Sequence, residues 1–96
     1  MIHIFLYKEA GIFSENKDIA RDIRRNKIIP ALEKKEEVTL DFENVEGATQ
    51  SFIHALISDL IRKYGSDVLD QILFKSCNET IQKMINIVIS YMQESE

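Results

Sequence analysis

The segment "DFENVEGATQSFIHALISDLI", residues 41–61, changes its hydrophobic period partway along, and that change decides the fold. Entering it, Val38, Leu40 and Phe42 recur at the two-residue spacing of a strand. Leaving it, Ile53, Leu56, Ile57, Leu60, Ile61 and Tyr64 recur at intervals of three and four, the spacing of a helix. Thr49, Gln50 and Ser51 therefore stand at a strand-to-helix corner. The first backbone N–H groups of the helix lack partners there, and functional side chains are often displayed. The pattern predicts a strand over 38–42 and a helix over 50–64, with Gly65 as its left-handed cap.

Working outward, residues 2–7 (IHIFLY) are β-branched and aromatic and predict a first strand packed on both faces. "KEAG" turns the chain, and Ile12 and Phe13 are expected to add a very short strand. Ser14 or Asn16 is expected to cap a helix carrying Ile19, Ala20, Ile23, Ile28, Ala31 and Leu32. Pro30 removes a backbone donor within that helix and should kink it or split it in two. After the charged connection "EKKEE" and the segment quoted above, a third main strand is expected within 71–75. Asn78 then caps a last helix with a stripe of Ile81, Met84, Ile85, Val88, Ile89 and Met92, and the tail "QESE" should fray. Three main strands alternating with three helices define an α/β domain with a small parallel or mixed sheet and right-handed crossovers. No repeat, linker or change of composition divides the chain, so residues 1–96 read as one domain.

Composition bounds the function. With 96 residues the chain builds one core, and 45% apolar and 29% charged residues describe an ordinary globular protein. A net charge of −4 and an isoelectric point near 5.2 oppose a nucleic-acid surface, although Arg21, Arg24, Arg25 and Lys27 make one local basic cluster. The single Cys77 allows neither an internal disulfide nor a multi-cysteine metal site. No signal-like N-terminus follows Met1, and no apolar run approaches the roughly 18 residues that span a bilayer, so a soluble, cytoplasmic protein is expected.

The chemical motifs are sparse. Gly47 stands alone at the corner with no following Gly-Lys-Ser/Thr, which excludes a P-loop. His3 and His54 lack metal-ligand spacing. Ser51 and His54 are three residues apart on one helix, as nucleophile and base would be, but that spacing is routine on any polar helix face. Cys77 precedes the last helix without a resolving cysteine or clear base, which favours a partly buried structural thiol. Asp41 and Glu43 lie at the carboxyl end of a strand, the usual binding edge of an α/β sheet. The acid cluster of a receiver domain is nevertheless incomplete, and Asp41 more simply braces the following turn. The corner, continued by His54, Ser58, Asp59, Arg62 and Lys63, reads as a protein-docking face. Thr49 and Ser51 on it are candidate phosphoacceptors, or, more simply, N-caps.

The stretch "VTLDFENVEGATQSFIHALISDLI" resembles the central motif of STAS-like bacterial domains, relatives of the anti-sigma-factor antagonists. Asp41, Phe42, Val45, Gln50, Ser51 and Phe52 carry the likeness, and "FSENKDIARDI" is similar to the entry into the family's first helix. The resemblance implies a regulatory partner-switching module without an active site. In the antagonists, a serine opening the helix is phosphorylated by an ATP-binding kinase of the GHKL type. The dephosphorylated form captures that partner and frees a sigma factor. The antagonist motif Asp-Ser-Ser-Gly lines up with Thr49, Gln50, Ser51 and Phe52, so Gln50 takes the acceptor position and Ser51 is the nearest hydroxyl.

The expected function is therefore non-catalytic docking on a GHKL-type ATP-binding protein through Asn44, Thr49, Gln50, Ser51, His54 and Ser58, with no cofactor or metal. The alternative is a receiver-like phosphoprotein or small enzyme using Asp41 with Ser51 or His54. Leftover apolar residues such as Ile87 and Tyr91 are candidates for pairing the chain as a homodimer.

Overall fold

The computed structural model describes residues 1–94, and the last two residues of the "QESE" tail lie outside them. Three four-residue strands, β1 (Ile2–Phe5), β3 (Val38–Asp41) and β5 (Ile72–Lys75), form a parallel sheet in the order β1-β3-β5. Parallel neighbours need a long crossover. The first supplies α1 (Leu6–Ala10), the two-residue strand β2 (Phe13–Ser14) and a helical run over residues 17–33. The second supplies β4 (Gly47–Ala48), α4 (Gln50–Tyr64) and a 3₁₀ segment (Ser66–Gln71). The last helix, α5 (Glu79–Glu94), follows β5 and continues through two of the four tail residues expected to fray. The α/β class and its alternation of three main strands with three long helices stand as expected.

The core follows from the period-two rule. Ile4, Val38, Leu40 and Ile72 point to one face of the sheet and are buried against the helices with Phe52, Leu56, Ile57, Leu60, Ile61, Ile81 and Val88. The opposite face carries His3 and Phe5, Thr39 and Asp41, and Leu73 and Lys75. Its outer residues are open to solvent, with Leu73 58% exposed. The central Thr39 and Asp41 are nevertheless buried between their neighbours.

Several boundaries differ from the sequence reading, each for a local reason. The first strand stops at Phe5, because Leu6, which is fully buried, starts a helical turn that "KEAG" alone did not announce. The run over 17–33 stays helical across Pro30 but is divided into two α-helical segments just ahead of it, as the proline led one to expect. It passes from α2 (Lys17–Ile23) through a π-helical turn (Arg24–Ile28) into α3 (Ile29–Glu33), and the change of hydrogen bonding falls immediately ahead of Pro30, which supplies no N–H to the ladder. Asn16 caps this run, accepting from the Asp18 and Ile19 N–H groups, while Ser14 is buried in β2 and donates to the Gly11 carbonyl. Gly65 ends α4 at φ +80°, ψ 173°, an extended mirror-image conformation rather than the left-handed helical one expected.

Candidate functional site

The corner is built by short-range bonds on either side of Asn44. After β3, the Asp41 carboxylate accepts the Glu43 N–H at 2.9 Å, and the Phe42 carbonyl accepts the Val45 N–H at 3.0 Å. Asn44 adopts φ +69°, a left-handed conformation that Asn tolerates better than most residues. Phe42 and Val45 on either side of it are buried and pin the turn to the core.

Beyond the turn, β4 pairs in parallel with β2, and the Thr49 N–H reaches the Ser14 carbonyl at 3.0 Å. Gly47 lets the Phe13 ring lie against this pairing, since a Cβ there would lie 2.9 Å from the ring and would displace it. From the other side, Asn78 donates through its side-chain amide to the Glu46 carbonyl at 2.9 Å. Its carbonyl oxygen meanwhile accepts the Ile81 N–H, capping α5 as expected. One side chain thus caps a helix and ties down the loop leading into the corner.

Thr49 is the N-cap of α4. Its Oγ1 accepts the Phe52 N–H at 3.1 Å, and the residue is half-buried. Gln50 and Ser51 follow, both exposed in the first turn, whereas Phe52 is fully buried and anchors the helix to the core. Gln50, Ser51, His54, Lys17 and Tyr91 share the wall of an open hollow of about 600 Å³. The corner thus displays two polar side chains and one unburied hydroxyl at the positive end of a fifteen-residue helix dipole.

Two expectations are corrected. Ser58 is not on the exposed face: it is 2% exposed, and its hydroxyl contacts His54 Nδ1 at 3.2 Å. The cause is that α4 packs against α2 on one side and α5 on the other, which widens its buried arc beyond a single stripe. Asp41 does not join Ser51 or His54. Its Oδ1 holds the Glu43 N–H, its Oδ2 lies 2.7 Å from His3 Nε2, and the residue is 2% exposed. Burial pushes the Asp41 carboxyl up. The Glu43 N–H, the His3 ring and the Lys75 ammonium together outweigh it and hold the group below the ordinary aspartate value.

Burial, reinforced by the Asp41 charge, pushes the Cys77 thiol up to about 11, so it is held as the inert thiol. Among the described residues no group of three or more His, Cys, Asp or Glu side chains could hold a metal ion. No helix among them is long and apolar enough to cross a membrane.

Sequence reasoning missed Arg24. It was counted in a basic surface cluster, yet it is 7% exposed, donates to the Ala55 carbonyl at 2.5 Å and pairs with Asp59 at 3.2 Å. It clasps the π-helical turn to the middle of α4 at Ala55, a residue that lines the hollow. Its place in the otherwise buried series Ala20, Ile23, Ile28 was the available signal.

These features agree with the comparison to known families. The profile of a STAS-like domain of unknown function (DUF4325) matches residues 20–82, well over half of the sequence, and the chain belongs to that family. The match covers the helical run from Ala20 onward, β3, the corner, α4, β5 and the first turn of α5. A STAS-like domain has the fold of the anti-sigma-factor antagonists, with which the α/β architecture agrees. No curated protein matches the chain, and no solved structure does either.

Proposed function

We propose that the chain is a non-catalytic regulatory module that docks on an ATP-binding, kinase-like protein of the GHKL type through the corner formed by Asn44, Thr49, Gln50, Ser51 and His54. The observation that carries this reading is the exposed pair Gln50 and Ser51. They open a helix whose cap is already satisfied by Thr49 and whose next residue, Phe52, is locked in the core. A rigid backbone thus presents polar side chains that have no structural task of their own. The engagement of Asp41 by His3 and the Glu43 N–H, rather than by Ser51 or His54, favours this reading over the competing enzyme reading. The class of partner rests on the likeness of the motif to the antagonists.

Of the two candidate phosphoacceptors, Thr49 already uses its hydroxyl as the cap, whereas Ser51 is exposed. A phosphate on Ser51 would add about −1.5 to −2 charges at the helix N-terminus. It would be tolerated by the helix and by Lys17 across the hollow, but would alter any partner seated there.

The test is capture by the tagged chain, identification of the retained protein, and reconstitution with that protein purified. The expected result is a GHKL-type ATP-binding partner that binds wild type and loses at least about tenfold in affinity to Ser51→Glu. Equal binding of Ser51→Glu, or a partner of another class, would overturn the reading.

A further inference from the structure

We infer that the open edge of β1 and the helical run beside it form a second docking groove, separate from the corner, which takes an extended acidic peptide segment of a partner protein. β1 is an outer strand of the sheet, with β3 on one side and no strand of the described residues on the other. The Ile2 N–H bonds the Glu37 carbonyl, so in the parallel ladder Ile2 and Ile4 direct their backbone groups to β3. Of the alternate residues, His3 turns both its N–H and its carbonyl to the open side and Phe5 its N–H, the Phe5 carbonyl being that of the N-cap residue of α1. A hollow of about 460 Å³ lies along this side, lined by all four β1 residues and by residues of the run over 17–33, Pro30 among them. A four-residue strand spans about 13 Å, enough to pair a short extended segment.

The charge of the groove selects its occupant. Three lysines, Lys8, Lys27 and Lys34, face it against Glu9 and Glu36, an excess of one positive charge in a chain of net charge −4. Lys27 is paired with Glu9, whereas Lys8 and Lys34 form no salt bridge among the described residues. Lys8 instead sits 5.5 Å from the centre of the Phe5 ring. Lysines flanking the edge discourage pairing with a basic strand but leave the edge open to an acidic one. A second copy of the chain would set the same lysines against each other, so an acidic segment from a different protein fits better. None of the corner residues lines this groove, and the inference does not depend on the function proposed for the corner.

The experiment is a titration of the isotope-labelled full chain with two terminally blocked peptides, one alternating glutamate with valine and one alternating lysine with valine, followed by amide resonances and amide exchange. The acidic peptide is expected to shift and protect the His3 and Phe5 amides and to bind at least about fivefold more tightly than the basic one. Lys34→Glu, an exposed substitution just past α3, should reverse that preference without changing the fold. The inference is overturned if neither peptide perturbs residues 2–5, or if both do so equally in wild type and in Lys34→Glu. Protection that grows with protein concentration alone would assign the edge to a second copy and would overturn it too.

Discussion

His3 Nε2 and Asp41 Oδ2 meet at 2.7 Å across 38 residues of sequence, joining β1 to the carboxyl end of β3 on the solvent-facing side of the sheet. The His3 ring also stacks on Phe5, with centroids 4.3 Å apart and planes 10° from parallel. Asp41 is thereby the brace of the corner. One oxygen fixes the neighbouring strand and the other fixes the Glu43 N–H at the start of the turn.

Removing that brace should destabilise the fold. Asp41→Ala removes the acceptor of the part-buried Glu43 N–H and frees His3, and an expected loss of about 1–3 kcal/mol should appear in urea unfolding. The pH dependence has a definite sign. A carboxyl whose folded-state pKa is depressed contributes stability above its unfolded value, near pH 3.9, and loses it as pH falls through the lower folded value. The gap in unfolding free energy between wild type and Asp41→Asn should therefore be full at neutral pH and shrink on acidification below about pH 4. A gap that widened there would contradict the assignment.

Thr49→Ala tests whether the corner is rigid before a partner arrives. The substitution removes the acceptor for the Phe52 N–H and should cost about 1 kcal/mol, while Thr49→Asp should restore most of it by capping and by favourable charge at the helix N-terminus. The midpoint of chemical unfolding measures both. Destabilisation by Thr49→Asp equal to that by Thr49→Ala would show that the hydroxyl has some task other than capping.

The strand-to-helix changes of period located β3, α4, β5 and α5, because those elements bury one continuous face and the face dictates the spacing of apolar residues. What stayed hidden depends on relations between distant segments. β4 is Gly47–Ala48, two residues without strand propensity, and exists because β2 lies alongside. The His3 to Asp41 contact depends on the register of β1 against β3, which no local pattern encodes. Ser58 reads as surface on a one-sided helix and is buried because α4 has neighbours on two sides. At the corner, the sequence narrowed the cap to Thr49 or Ser51 and the fold decided for Thr49, and the tether from Asn78 to the Glu46 carbonyl required the fold altogether.

Arg24 gives a prediction of that hidden kind. Its guanidinium serves two acceptors on α4 at once, the Ala55 carbonyl and the Asp59 carboxylate. Arg24→Lys cannot reproduce that fork, and a loss of about 1.5–3 kcal/mol is expected despite the retained charge. The exposed neighbour Arg25 provides the control: Arg25→Lys should change stability by less than about 0.5 kcal/mol. Equal effects at the two positions, measured by thermal unfolding, would refute the clasp.

Cys77 links the brace to a reactivity that can be measured directly. Its Sγ lies 3.8 Å from the Lys75 carbonyl oxygen, and burial together with the Asp41 charge holds its pKa at about 11. Against an ordinary thiol near 8.5, the thiolate fraction at pH 8 falls by about two orders of magnitude, and alkylation should slow accordingly. Because part of the shift comes from the Asp41 carboxylate, Asp41→Asn should lower the thiol pKa and speed the reaction, most visibly in the pH dependence of the rate. Asp41→Ala opens the same region to solvent as well, so Asp41→Asn isolates the charge. A pH–rate profile for Cys77 that Asp41→Asn leaves in place would mean that desolvation alone sets the thiol.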